Sequence, residues 1–184
     1  MKKIDWSKVG TAPKTTELTP GGYACSIVNA VDNPKKEYVT IEFDIAEGDF
    51  AGYFTKVEAK TGWWLASGQA IRSYKESAQP YFKMFLDAVE ESNPGFKFDD
   101  KERELLGKKV GVVLGIEEYM SKQGEQKEKL YAYAFVSVDK IRTGNYTVPE
   151  KKKLKSKEAA PAAAISNPYE NPVKPDISDD DLPF

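Results

Sequence analysis

Apolar and polar residues alternate most clearly over residues 38–46 of the chain. The apolar positions of this segment are Val39, Ile41, Phe43 and Ile45. A period of two is typical of a β-strand with one buried face. Residues 23–31 are rich in side chains that favour strands, and residues 50–59 follow a glycine turn with similar composition. The first part of the chain therefore predicts three strands.

The period changes near residue 80, where large apolar residues recur at helical spacing. Pro80 is suited to the first turn of a helix, and Asn93 with the Pro-Gly that follows it predicts the helix end. A shorter helical turn is predicted to end at Gly107. Two more strands are predicted over residues 109–119 and 129–138.

The resulting order is three strands, a helix and two strands. This is the element order of the OB-fold, a partly open barrel with its helix between the third and fourth strands. We predict a mainly β protein with one or two helices, built as a five-stranded OB-fold barrel (β-β-β-α-β-β). A different small α+β sheet domain is the alternative. Residues 1–20 are predicted to be an N-terminal arm and residues 21–148 the OB-fold domain.

Residues 149–175 are rich in lysine, alanine and proline. Such a segment buries too little surface to offset the entropy of ordering it, so we predict a disordered linker. The whole chain has a net charge of −2, but residues 151–157 contain five lysines and no acid, and residues 158–184 contain six acids and one lysine. The charge is therefore segregated at the end of the chain.

Residues 176–184 combine acidic and apolar side chains and are predicted to be a partner-binding tip. The six residues expected to bind are Asp179, Asp180, Asp181, Leu182, Pro183 and Phe184. A tail that only aids solubility would not need the apolar residues Leu182 and Phe184. Pro183 favours extended backbone, which lowers the cost of docking. A partner with a hydrophobic pocket and a basic rim would fit this segment. The alternative is an acidic tail that only aids solubility.

Composition argues against an enzyme. The chain has no histidine and one cysteine, Cys25, so the commonest general base and the usual structural zinc ligands are missing. No phosphate-cradling loop or nucleophile elbow is present. We predict no catalytic residue, no cofactor and no metal. Without a secretion signal or a long apolar run, we expect a cytoplasmic protein that does not bind membranes.

Aromatic and basic residues of the predicted domain are candidates for stacking on bases and contacting phosphates. On the predicted fifth strand, three rings share one face, while the other face supplies aliphatic side chains for a core. These rings either bind nucleic acid or lie beneath the arm or in a subunit interface, so a homo-oligomer stays open. The full set of predicted DNA-binding residues is Lys35, Lys36, Tyr53, Lys56, Trp63, Trp64, Arg72, Tyr74, Lys75, Lys122, Lys127, Lys129, Tyr131, Tyr133 and Phe135.

The sequence Asp-Asp-Asp-Leu-Pro-Phe after a proline-rich segment resembles the C-terminal tip of bacterial single-stranded-DNA-binding proteins (SSBs). Three stretches of the body are similar to SSB-type proteins encoded by phages and prophages of Gram-positive bacteria: PGGYACSIVNAVDNPKKEYVTIEFDIAEGDFAGYF, IRSYKESAQPYFKMFLDAVEESNPGFKF and KKVGVVLGIEEYMSKQGEQKEKLYAYAFVSVDKIRTGNYTVPEKKKLK. The resemblance implies phage DNA replication, recombination or repair in a bacterial host cytoplasm.

On this resemblance, the body binds single-stranded DNA with little sequence preference and the tip recruits replication or recombination enzymes. Two other functions stay open. One is a protein–protein adaptor that does not bind DNA, and the other is a recombination mediator that anneals strands.

Overall fold

The computed structural model describes residues 17–154, which form a five-stranded antiparallel sheet with three α-helices. The strands are β1 (Gly21–Asn33), β2 (Tyr38–Ile45), β3 (Gln69–Ser73), β4 (Lys109–Met120) and β5 (Gln126–Val136). The helices are α1 (Tyr53–Thr61), α2 (Gln79–Ser92) and α3 (Val138–Arg142). Hydrogen-bonded neighbours follow the order β3-β2-β1-β4-β5. The prediction of a mainly β, five-stranded protein is confirmed, although three helices replace the expected one or two.

The predicted arm and tail lie mostly outside the described residues. Residues 1–16 and 155–184 are not described, so the expectations of a disordered linker and of a partner-binding tip stay predictions. Short 3₁₀ turns at Ala66–Gly68, Glu76–Ala78 and Glu102–Leu105 connect the larger elements.

The alternation of β2 and the helical period of α2 both appear in the structure. The four apolar residues predicted to share one face of β2 are all buried, between 0% and 5% exposed. They belong to the same core as Phe85 and Val89 of α2. Burying a side chain of this size contributes about 1.5–3 kcal/mol, so these two elements account for much of the interior.

The predicted third strand over residues 50–59 is wrong, because this segment forms helix α1. The carboxylate of Asp44, on β2, accepts hydrogen bonds from the backbone N–H groups of Phe54 (2.9 Å) and Thr55 (3.0 Å). These are donors of the first helical turn, which have no partner within a helix. A side chain from another element therefore caps α1, and left-handed glycines at positions 52 and 62 bound it.

A β-bulge in β1 changes which of its side chains face outward. The register with β2 shifts between Ile27 and Asn29. Ile27 and Ala30 are buried, whereas Val28 between them is 40% exposed. A bulge inserts one extra residue and alters the alternation beyond it. As a result Val28 and Asn29 both lie on the outer side of the sheet.

The two edge strands, β3 and β5, point in the same direction but share no hydrogen-bonded ladder within residues 17–154. A side-chain contact links them instead. The guanidinium of Arg72 on β3 lies 4.5 Å from the ring centroid of Phe135 on β5. Its Nη1 also donates to the carbonyl of Ile71 at 2.9 Å. We call this junction the seam.

The chain after β5 lies tightly against the outer side of the sheet, where glycines leave room for it. A Cβ atom at Gly111 would stand 2.5 Å from Cγ1 of Ile141 in α3. A Cβ at Gly115 would stand 2.8 Å from Cγ of Pro149. Separations below 3 Å are not tolerated, so glycine is required at both positions. Residues 149–154, predicted as the start of a linker, thus contact the sheet.

Candidate nucleic-acid interface

The β4–β5 hairpin carries basic and aromatic side chains on one face. Lys127, Lys129 and Tyr131 are alternate residues of β5 and therefore point to the same side. The ring of Tyr133 lies edge-to-face with that of Tyr131, with centroids 6.4 Å apart. We call these four side chains the hairpin face. Cations next to aromatic rings are the combination that a single-stranded nucleic acid needs.

Phe135 does not belong to the hairpin face. Tyr133 is the extra residue of a second bulge, because Ala132 and Ala134 lie opposite consecutive residues of β4. The alternation reverses beyond the bulge, so Phe135 points inward, is 8% exposed and lies 5.0 Å from the ring of Phe85. The prediction that Phe135 shares a face with the two tyrosines is wrong.

Carboxylates of β4 and of the hairpin loop form ion pairs with the lysines of the hairpin face. Lys129 Nζ lies 3.3 Å from Glu117 Oε1 on β4, and Lys127 Nζ lies 3.0 Å from Glu125 Oε2. Exposed pairs of this kind contribute about 0–1 kcal/mol each, so a phosphate can replace the carboxylate at small cost. Lys122 is exposed in the loop that joins the two strands.

Residues 149–154, which we call the strap, run along the hairpin beside β4. The N–H of Lys152 donates to the carbonyl of Ile116 at 3.0 Å, and the N–H of Glu118 donates to the carbonyl of Lys152 at 2.9 Å. The N–H of Leu154 donates to Glu118 Oε2 at 3.2 Å. The strap therefore continues the sheet as a short parallel segment, where β4 extends past the start of β1.

The strap lysines are also ion-paired, although the strap belongs to the segment predicted to be a disordered linker. Lys151 Nζ pairs with Glu118 at 2.7 Å and with Glu128, and Lys152 Nζ lies 3.6 Å from Glu117. The hydrogen bond from Lys151 lowers the pKa of Glu118, and the same bond raises the pKa of Lys151. Glu117 thus forms ion pairs with a lysine of the hairpin and with a lysine of the strap.

The two adjacent tryptophans have different surroundings. Trp63 follows α1 and is 65% exposed. Trp64 is half-buried, with its indole Nε1 donating to the carbonyl of Gly68 at 3.0 Å and its ring centroid 6.1 Å from that of Phe54. Of the two, only Trp63 offers an open ring for stacking.

Tyr53 and Lys56 lie on α1 rather than on the strand predicted for them. The ring of Tyr53 is 5.3 Å from that of Phe54 and 6.2 Å from that of Phe50, so it covers the core edge. Lys56 is exposed, and its Nζ donates to the carbonyl of Ala51 at 2.7 Å. Both residues lie on α1, whereas the hairpin face is part of the β4–β5 hairpin.

Arg72 lies in the seam. Burial of its guanidinium lowers its pKa to about 10, although part of the side chain stays accessible. No carboxylate among residues 17–154 forms an ion pair with it. Its contact with the ring of Phe135 partly offsets the cost of burying a cation. Arg72 therefore connects β3 with β5 through a side-chain contact, and its role in binding nucleic acid stays a prediction.

A third group of predicted residues surrounds the β1–β2 turn. Lys35 and Lys36 lie in the turn, and Tyr74 and Lys75 follow β3 beside it. The hydroxyl of Tyr74 donates to Asp32 Oδ1 at 3.0 Å. Desolvation and this carboxylate raise the pKa of Tyr74. The side chain of Tyr74 is therefore hydrogen-bonded to the end of β1, next to the turn.

The predicted residues thus form separate groups rather than one cluster. Residues 115–120 of β4 extend past the start of β1, whereas the turn at residues 34–37 follows its end. The hairpin face and the turn lysines therefore lie beyond opposite ends of β1. Sequence reasoning missed Tyr119, whose ring centroid is 5.4 Å from Lys129 Nζ. The sequence offered one signal for Tyr119, which is its position on β4, the strand that pairs with β5, two residues from Glu117.

Residues 17–154 contain no group of three or more Cys, Asp or Glu side chains that would hold a metal ion. No described helix has the length and apolar character to cross a bilayer. An open cavity of about 730 Å³ lies beyond α2, lined by Asn93, Phe96 and Lys108 among others. It lies apart from the residues predicted to bind DNA. No protein-family model matches the chain, and no curated protein matches it either.

Proposed function

We propose that this protein binds single-stranded DNA through the hairpin face with little sequence preference. The observation that carries the proposal is the succession of Lys127, Lys129, Tyr131 and Tyr133 on one side of β5. A ring that stacks on a base would contribute about 1–3 kcal/mol, whatever the base. The exposed Trp63 and the lysines of the β1–β2 turn are further contacts along the strand.

The proposal includes an OB-type barrel as the scaffold. Support comes from the strand order β3-β2-β1-β4-β5, from the parallel directions of β3 and β5, and from a helix between β3 and β4. The contact of Arg72 with Phe135 then takes the place of a ladder at the seam. OB-folds bind oligonucleotides with loops that include the one between the last two strands.

The second half of the proposal assigns recruitment of replication or recombination enzymes to residues 176–184. Its support is the sequence alone, an acidic run followed by Leu182 and Phe184. A variant with Phe184→Ala is expected to bind DNA as the unchanged protein does and to lose the partner. Loss of DNA binding in this variant would contradict the division between body and tip.

Titration of a fluorescent poly-dT oligonucleotide at two salt concentrations tests DNA binding. We expect binding that weakens as salt rises, because lysines release counterions when phosphates bind. The double variant Lys127→Gln, Lys129→Gln should bind more weakly, and Lys60→Gln, an exposed lysine on α1, should not. A protein that fails to bind poly-dT at low salt would be better described as an adaptor, and an annealing assay with complementary strands addresses the recombination mediator.

A further inference from the structure

Glu117 lies at the centre of a cluster of side chains on the outer side of the β4–β5 hairpin. Gly115, Glu117 and Tyr119 are alternate positions of β4, in a part of the ladder without a register shift. Alternate side chains of a strand point to one side, and residues opposite each other on paired strands share that side. Lys129, opposite Glu117, and Tyr131, opposite Gly115, therefore lie on the same side as Tyr119.

The strap brings a second cation to this cluster. Backbone hydrogen bonds hold Lys152 beside Glu117 in a parallel bridge. Lys152 Nζ lies 3.6 Å from Glu117 Oε2 and 5.9 Å from the ring centroid of Tyr131. Lys129 Nζ lies 3.3 Å from Glu117 Oε1 and 5.4 Å from the ring centroid of Tyr119. Two ammonium groups thus meet at one carboxylate, each of them beside a tyrosine ring.

The cluster contains two ammonium groups and one carboxylate, and its positive charges are accessible. In the part of the chain that the structure describes, the ion pairs of Lys129 and of Lys152 both go to Glu117. The two lysine side chains are 48% and 60% exposed, whereas that of Glu117 is 22% exposed. An ammonium group has three donors, so one contact with a carboxylate leaves donors for a second anion. An anion on the solvent side of Glu117 can therefore accept from both lysines.

The other two strap lysines lie near a different pair of carboxylates. Lys151 pairs with Glu118 and Glu128, which are opposite each other in the ladder and alternate with the residues of the cluster. The hydrogen bonds from Lys151 and from the N–H of Leu154 lower the pKa of Glu118, and the charge of Lys153 adds to this effect. Of the three strap lysines, the middle one thus faces the cluster.

We propose that Lys129 and Lys152 bind one phosphate group of a DNA single strand between them, so that the strap is part of the nucleic-acid interface. This inference rests on the proposed function and adds to it a residue from outside the five strands. Lysine binds phosphate as a point charge, so two ammonium groups that converge on one carboxylate can converge on a phosphate in the same way. The rings of Tyr119 and Tyr131 lie next to these cations, where adjoining bases can stack.

Titration of a fluorescent poly-dT oligonucleotide against variants of the full chain tests the inference. Lys152→Gln should weaken binding at least about threefold at low salt and lower the slope of log K against log salt by roughly 0.7–1, because one phosphate contact is lost. Lys153→Gln removes the same charge from the neighbouring position and should leave affinity nearly unchanged. Lys152→Arg keeps a cation at the site and should bind as the unchanged protein does.

A double-mutant cycle tests whether the two lysines share one phosphate. The loss of affinity in the variant with Lys129→Gln and Lys152→Gln should be smaller than the product of the two single losses, because either change already removes the shared contact. The combination of Lys35→Gln with Lys152→Gln should give the product instead, since Lys35 lies in the turn beyond the other end of β1. Lys152 is exposed, so its glutamine variant should keep the urea unfolding midpoint of the unchanged protein.

Equal effects of Lys152→Gln and Lys153→Gln would overturn the inference, because the strap would then act by its overall charge or not at all. A cycle in which Lys129 and Lys152 act independently would overturn it as well. In both cases, poly-dT binding that depends on the hairpin lysines would leave the proposed function standing. Absence of poly-dT binding by the unchanged protein at low salt would overturn the proposed function and this inference together.

Discussion

Trp63 and Trp64 are neighbours in the chain, yet a substitution of each should affect a different property. Trp63→Ala removes a ring that is 65% exposed, so we expect unchanged stability and weaker binding of poly-dT, by about 1–3 kcal/mol if one base stacks on it. Trp64→Ala removes a ring that contacts Phe54 and a hydrogen bond to Gly68, so we expect lower stability. Urea unfolding and anisotropy titration measure the two effects. Equal loss of stability in both variants would contradict the assignment.

Glu117 pairs with Lys129 of the hairpin and with Lys152 of the strap, so it competes with phosphate for both cations. Glu117→Gln should therefore tighten poly-dT binding severalfold at low salt, since two lysines lose a carboxylate partner. Glu58→Gln, on α1, is the control and should leave affinity unchanged. Weaker binding by Glu117→Gln would indicate that the pairs position the lysines rather than block them.

At the scale of single elements, α1 depends on a residue from another element. Asp44 is 7% exposed and accepts hydrogen bonds from the first turn of α1. Asp44→Asn keeps the shape but replaces one acceptor oxygen by a donor, so we expect a loss of roughly 1–3 kcal/mol in the free energy of unfolding. Denaturant titration measures it, with Asp49→Asn in the exposed loop as the control. An unchanged midpoint would show that α1 forms without this cap.

Local periodicity correctly predicted the elements in which the apolar residues of the pattern are also the residues that pack in the core. β2 and α2 fall where alternation and helical spacing place them, because each buries one complete face. α1 could not be predicted in this way, since its capping group lies outside the segment at Asp44. A count of alternate positions could not predict the bulge at Tyr133 either. Because of this bulge, the side chain of Phe135 points to the opposite side of the sheet from the one predicted.

The candidate site was predicted in its composition but not in its pairing. The sequence placed Tyr131 on one face of the predicted fifth strand and assigned Lys127 to the loop before it, whereas in the structure Lys127, Lys129 and Tyr131 are alternate residues of β5. The ion pairs depend on the register between β4 and β5 and on the return of the strap to β4. Both are long-range features, which no local pattern in the sequence encodes.

At the scale of the whole molecule, acid should weaken the contacts that join distant segments. Glu47 pairs with Arg142 of α3 at 2.6 Å and with Lys109 of β4 at 3.2 Å. The hydrogen bond from Arg142, and then that from Lys109, lower the pKa of Glu47 below its ordinary value of 4.5. A lowered pKa in the folded state means that the pairs stabilise the protein above that value and are lost as pH falls through the folded pKa.

Urea unfolding between about pH 7 and about pH 3 measures this loss. We expect the midpoint to fall with pH and to fall less steeply in Glu47→Gln, which lacks the titrating group. The variant should also be slightly less stable at neutral pH, because these pairs are exposed and contribute little. Parallel pH profiles for the two proteins would show that Glu47 does not contribute.

The seam makes β3 the strand that detaches most easily. β3 has five residues and, among the described strands, pairs with β2 alone, while across its other edge the guanidinium of its own Arg72 contacts the ring of Phe135 on β5. Breaking the pairing of these five residues with β2 requires less free energy than unfolding the whole domain. Amide protons of Gln69–Ser73 should then exchange with deuterated solvent earlier than those of β1, which lies between two neighbours. The sheet would in that case open from one side, and a partial unfolding that begins at Arg72 would leave the hairpin face intact.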